Sequence, residues 1–229
     1  MNGSLVSPAT RQRVRDMATP IARGLGRLGL TPNALTIIGF LGTCVAAFAA
    51  ANQSWLVAGI LALVFGIFDL FDGTLARATG RATKLGAFLD STFDRAGEGI
   101  VYVGIAAGMA RTGIFGVELF APAAMAASFM VSYTRAKSES LGFSTGAGMA
   151  AIGVMPREVR LVVLTVGLIA AGLLGTSAGT PASGQSGAGG GIFPLGILAL
   201  EGALALITFG AIVTTIQRIL HVRAQSREG

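Results

Sequence analysis

Four aspartates at regular intervals in an apolar stretch are the side chains best suited to chemistry. Asp69, Asp72, Gly73 and Ala76 are spaced i, i+3, i+4 and i+7, and Gly86, Asp90 and Asp94 are spaced i, i+4 and i+8. Each set shares one face of a helix. Asp69 and Asp94 each lie eight residues from the intervening basic loop, at Arg77 and Gly86 respectively, or ~12 Å along a helix. Asp72 and Asp90 lie five and four residues away, so two antiparallel helices would present carboxylates in pairs at matched depth. Four converging carboxylates repel one another and take up protons unless cations neutralise them. Hard oxygen donors suit Mg²⁺, Mn²⁺ or Ca²⁺, and one Cys and one His make no zinc set. A metal pair held by Asp69, Asp72, Asp90 and Asp94 can bind a pyrophosphate, polarise phosphorus and stabilise a leaving phosphate.

The neighbours of the aspartates fit that chemistry. Gly73, Ala76 and Gly86 leave room for a bulky ligand against the backbone, and Arg77 is placed to fork onto phosphate oxygens. Intramembrane acids also serve cation or proton transporters. The fixed spacing of four acids, the small residues and the adjacent arginine favour phosphate chemistry over that alternative.

Composition indicates what must carry these residues. The chain of 229 residues is 52% hydrophobic and 12% charged, with mean hydropathy +0.71, whereas a soluble domain is about a quarter charged. So little charge cannot cover a globular surface. Apolar windows of spanning length recur six times, at 34–51, 55–76, 86–110, 115–135, 159–175 and 192–216. The expected fold is therefore all-α: a polytopic membrane protein, one domain over 1–229, with a six-helix transmembrane bundle at 34–217. Fifteen of the 17 Lys and Arg then fall on one side, with Arg95 inside the third window and Arg111 opposite. The positive-inside rule puts both termini, and with them the aspartates, in the cytoplasm of a multi-pass cell-membrane protein. Val14, Met17, Ile21, Leu25 and Leu28 keep a helical period among arginines, so 8–29 reads as an amphipathic interfacial helix. The uncharged Gly/Ser/Ala/Thr/Pro stretch at 176–191 reads as a flexible outer loop. The net charge of +6 is placed between apolar segments and suits lipid headgroups or phosphorylated substrates, with no nucleic-acid partner. No signal-peptide pattern opens the chain.

The stretch from Asp69 to Asp94 matches D-x2-D-G-x2-A-R-x8-G-x3-D-x3-D at every specified position, eight fixed residues over 26. In this it resembles the CDP-alcohol phosphotransferases, membrane enzymes of phospholipid biosynthesis. The resemblance implies two divalent ions, Mg²⁺ or Mn²⁺, held by the first three aspartates with help from the fourth. It implies that Asp94 is the general base and that Asp69, Gly73, Ala76, Arg77 and Gly86 surround the CDP part of the donor. It also implies a homodimer.

The acceptor is read from the basic residues near the same face: Arg135, Lys137, Arg157, Arg160 and Arg218. Several Arg and Lys donors suit a phosphate monoester, whereas a choline-like cation calls for an aromatic cage. These flanks resemble the phosphatidylinositol phosphate synthase subgroup, although Pro156 stands where an acidic residue often precedes the Arg pair. The expected reaction is transfer of a phosphatidyl group from CDP-diacylglycerol to a phosphorylated alcohol, inositol phosphate first among them, releasing CMP. The alternative acceptor is glycerol 3-phosphate, as in a phosphatidylglycerophosphate synthase. Glu98, i+4 from Asp94, either tunes that acid or makes a packing hydrogen bond; Glu201 and His221 read as structural or headgroup contacts, and Trp55 as an interfacial anchor.

Overall fold

Thr31 and Thr83 each begin a helix by the same device. Thr31 Oγ1 accepts the Ala34 N–H at 3.2 Å and Pro32 occupies the first helical position, where its missing N–H costs nothing. Thr83 Oγ1 accepts the Gly86 N–H at 3.0 Å. The computed structural model describes residues 29–80, 82–143, 152–175 and 195–227, with isolated positions 20, 24, 26 and 27; the side chains at 69, 70, 72 and 78 lie outside the description. Six α-helices run through the described residues: α1 Pro32–Ala51, α2 Trp55–Ala78, α3 Lys84–Ala110, α4 Phe120–Ser140, α5 Arg157–Leu174 and α6 Leu195–Gln225.

These helices close into a ring. α1 packs on both α2 and α3, α2 on α5, α5 on α6, α6 on α4, and α4 on α3. One half of the ring is dry core: Ala46, Ala50, Trp55, Ala58, Ile105, Met109, Ala121, Ala124, Leu168, Ile197 and Leu200 are buried together. Small residues allow this closeness, which in lipid must rest on van der Waals packing because apolar side chains gain nothing by leaving a lipid environment. At Gly104 an added Cβ would collide with the Ala47 carbonyl oxygen, and at Gly108 with that of Ala50. Threonines at 43, 134 and 208 return their hydroxyls to carbonyls four residues back, which satisfies them without water.

The expected all-α fold is observed, and most boundaries fall within three residues of the apolar windows. The sixth helix runs nine residues past its window, to Gln225, and the fourth is displaced at both ends. Gly116, at φ 88, leads into a 3-10 turn at Val117–Leu119, so α4 begins at Phe120 and continues to Ser140 instead of occupying 115–135. Among the described residues four segments are long and apolar enough to cross a membrane: Pro32–Ala51, Trp55–Arg77, Val117–Ser140 and Leu195–Gln225. α3 and α5 carry too many charges to join them, namely Asp90, Asp94, Arg95 and Glu98 on α3 and Arg157, Glu158 and Arg160 on α5. Yet α3 has 27 residues and α5 has 18, about 40 Å and 27 Å of helix, and both stand in the same ring. The expected interfacial helix at 8–29 lies outside the described residues apart from the isolated positions, as does the outer loop at 176–191.

Candidate active site

The other half of the ring opens into a cavity of about 1070 Å³. Its wall is assembled from five helices: Gly73 and Arg77 of α2, Asp90 and Asp94 of α3, Ser132 and Arg135 of α4, Arg157 and Arg160 of α5, and Arg218 of α6. Asp90 and Asp94 reach it from one strip of α3 because they are one turn apart. Asp69 and Asp72 belong to the stretch of α2 between the cavity-lining Gly66 and Gly73; their side chains lie outside the described residues. Arg77 folds back over its own helix, with Nη1 3.4 Å from the position of a Cβ at Gly73 and Nη2 3.4 Å from Thr74 Oγ1. A side chain at Gly73 would crowd the guanidinium. Ala76 and Gly86 do not line this cavity; Gly86 sits beside Asn33 and Thr83.

Two ion-pair rungs cross the interior from α3 to α5, which are not neighbours in the ring. Asp94 Oδ2 accepts from Arg157 Nη1 at 2.7 Å, with Arg95 Nη1 at 3.6 Å. One turn deeper, both Glu98 oxygens accept from Arg160, Nε at 2.8 Å and Nη2 at 2.9 Å. Arg160 is 1% exposed and also donates to the Met155 carbonyl. A buried guanidinium requires such a partner, since an unpaired charge here would cost several kcal/mol.

The other expected acceptor residues differ in how they are held. Arg218 is buried, donating Nε to the Ile152 carbonyl at 3.1 Å and Nη1 to the Val131 carbonyl. It thereby ties α6 to α4 and to the residues before α5. Arg135 is exposed and pairs with Glu139 at 2.8 Å, a contact worth at most about 1 kcal/mol. Lys137 does not line the cavity, because two residues along a helix turn its side chain about 200° from Arg135. The Glu98–Arg160 rung is the polar contact least evident from sequence spacing, since its partners lie 62 residues apart. The Arg135–Glu139 pair, at i and i+4 on one helix, could have been read from spacing.

The donor chemistry of the wall fits a hard divalent ion. Asp90 and Asp94 supply oxygen, and no His or Cys is among the described lining residues. Among the described side chains no group of three acids, His or Cys gathers, so a four-aspartate cage rests on Asp69 and Asp72, beyond the description.

A ring of helices with carboxylates facing arginines across a cavity is an arrangement suited to phosphate chemistry. Residues 29–217 match the model of the CDP-alcohol phosphatidyltransferase family. The chain belongs to that family and is an enzyme of phospholipid biosynthesis. It is 39% identical over 157 residues to the archaetidylinositol phosphate synthase of Pyrococcus horikoshii, covering 68% of this chain and 78% of that one. It is 35% identical over 216 residues to the phosphatidylinositol phosphate synthase of Streptomyces avermitilis, covering 92% and 79%. Two crystal structures of the Mycobacterium tuberculosis phosphatidylinositol phosphate synthase share 27% identity with it. The complex with manganese and citrate superposes with a TM-score of 0.70, covering 90% of this chain and 88% of that one. The form with CDP-DAG bound gives 0.69, covering 90% and 94%.

Proposed function

We propose that this enzyme transfers the phosphatidyl group of CDP-diacylglycerol to a phosphorylated alcohol, with inositol phosphate as the acceptor, giving phosphatidylinositol phosphate and CMP. The contact between Arg157 and Asp94 carries this reading. A guanidinium suited to a phosphate monoester lies 2.7 Å from the candidate base, so an acceptor whose phosphate engages Arg157 places its hydroxyl beside Asp94. Relatives named for inositol phosphate chemistry, over most of the chain, support the same acceptor.

In this reading Asp94 takes the proton of the acceptor hydroxyl. The hydroxyl oxygen bonds to the lipid-bearing phosphorus, the bond from that phosphorus to the bridging oxygen breaks, and CMP leaves with the electron pair. Arg77 and Gly73 receive the pyrophosphate from the α2 side, with Asp69 beside the CDP moiety. Arg135, Arg157, Arg160 and Arg218 make the opposite wall positive. Asp69, Asp72, Asp90 and Asp94 would hold two ions, Mg²⁺ or Mn²⁺, which when bound neutralise the pyrophosphate and the leaving phosphate. The bundle spans the cell membrane six times with both termini and the cavity mouth cytoplasmic, an interfacial helix at 8–29 leads it, and the protein works as a homodimer.

Purified protein in liposomes containing CDP-diacylglycerol, offered inositol phosphate, glycerol 3-phosphate and free inositol in turn, tests the acceptor. CMP release and a phosphatidylinositol phosphate product are expected with the first alone. Product only with glycerol 3-phosphate would reassign the acceptor, and none with any alcohol would refute the function. EDTA should abolish CMP release and Mg²⁺ or Mn²⁺ restore it; turnover that persists in excess chelator would remove the metals from the reaction. Because the Arg135–Glu139 pair is exposed, Arg135→Ala should leave thermal unfolding unchanged while raising the KM for the phosphorylated acceptor about tenfold, with donor KM unaltered. An unaltered acceptor KM would take Arg135 out of the pocket.

A further inference from the structure

We infer that Glu98 is a positioning residue for the acceptor side of the site: through Arg160 it sets the first turn of α5, and so the placement of Arg157 against Asp94. This rests on the transferase reading above. Glu98 is held on α3 one turn beyond Asp94, and its side chain is 12% exposed. Its two-point contact with Arg160 fixes the orientation of the guanidinium as well as its distance. The remaining terminal nitrogen of Arg160 donates to the Met155 carbonyl at 3.2 Å. The Met155 N–H donates to Thr214 Oγ1 of α6 at 2.9 Å. The start of α5 is therefore pinned from α3 and from α6 at once, and Arg157 lies within that pinned turn.

α5 packs on α2 and α6, but no direct packing sets it against α3. α3 and α5 have no helix seam between them, and a cavity of about 70 Å³ lies at the rungs, lined by Phe40, Phe65, Gly97 and Tyr102 together with both ion pairs. Loosening the Glu98 rung would let the α5 end shift relative to α3. An acceptor phosphate bound to Arg157 would then carry its hydroxyl away from Asp94, and small displacements of reacting groups have large kinetic effects.

A purely electrostatic role for Glu98 predicts the opposite sign. If its carboxylate only offset the Arg160 charge, its removal would make the cavity more positive and bind the acceptor phosphate more tightly. The experiment compares wild type, Glu98→Gln and Glu98→Asp in liposomes, with inositol phosphate varied at saturating CDP-diacylglycerol and the donor varied in turn. Positioning predicts that Glu98→Gln raises the acceptor KM roughly tenfold or more, lowers kcat less, and leaves donor KM at its wild-type value. Glu98→Asp, which keeps the charge with a shorter reach, should recover part of the loss. A lower or unchanged acceptor KM in Glu98→Gln overturns the inference. So does an equal loss on both substrates that tracks a lower unfolding temperature. Should Glu98→Gln not yield folded protein, Glu98→Asp is judged by the same criteria. Wild-type protein that transfers to no alcohol would instead refute the proposed function, an outcome distinct from any of these.

Discussion

Asp94→Asn should reduce CMP release by about three orders of magnitude while the protein still unfolds near the wild-type temperature. Asparagine keeps the shape of the side chain and can still accept from Arg157, but it cannot take a proton from an acceptor hydroxyl. General bases contribute on the order of 10²–10⁴ in rate, and Asp94 is also placed to meet a cation. The fall should appear mainly in kcat, since the acceptor phosphate would still meet Arg157 and Arg135. The structural cost is small because Arg157 keeps water access: its side chain is 34% exposed, so losing its carboxylate partner does not strand a buried charge. The decisive measurement is turnover and thermal unfolding on the same reconstituted sample. Retention of a tenth or more of wild-type turnover by a folded Asp94→Asn protein would assign the base to another group.

That Asp94 and Asp90 would face one cavity was legible in their i+4 spacing, and the helices themselves were legible in six apolar windows bounded by threonine, proline and glycine. What spacing cannot report is the partner across the bundle. Arg160 meets Glu98 from 62 residues away, and Arg218 reaches the Val131 carbonyl from 87. Both were grouped in sequence with Arg135 as equivalent acceptor ligands. The fold separates them by burial: a guanidinium held in the ring must be satisfied by carbonyls or carboxylate, while Arg135 at the mouth stays exposed. Lys137 stands apart from that group, since it lies about 200° from Arg135 around the same helix. The start of α4 depended on one backbone angle, the positive φ at Gly116, which no hydropathy window senses.

The division of the ring into a dry half and a polar half explains how so charged a cavity is tolerated. The rungs from α3 to α5 lie where the helices leave an opening, and the close helix contacts lie at the other end. The largest stability effect is therefore expected far from the chemistry, at Gly104. Its α-carbon faces the Ala47 carbonyl of α1 so closely that even a methyl group would collide with backbone; Gly108, one turn on, meets Ala50 and Trp55 in the same way. Backbone cannot rotate aside as a flexible side chain can, so Gly104→Leu must part α1 from α3. Overpacking of this kind costs about 3 kcal/mol or more, and hydrophobic gain does not offset it in lipid. Loss of monodisperse protein on extraction, or a large fall in unfolding temperature, is expected. Gly202→Leu is the control: nothing lies within 4 Å of a Cβ there, and leucine is the better helix former, so stability should hold or rise. Equal unfolding temperatures for Gly104→Leu and wild type would mean that α1 and α3 do not approach this closely, and the alignment of α3 that brings Asp90 and Asp94 to the cavity would need another cause.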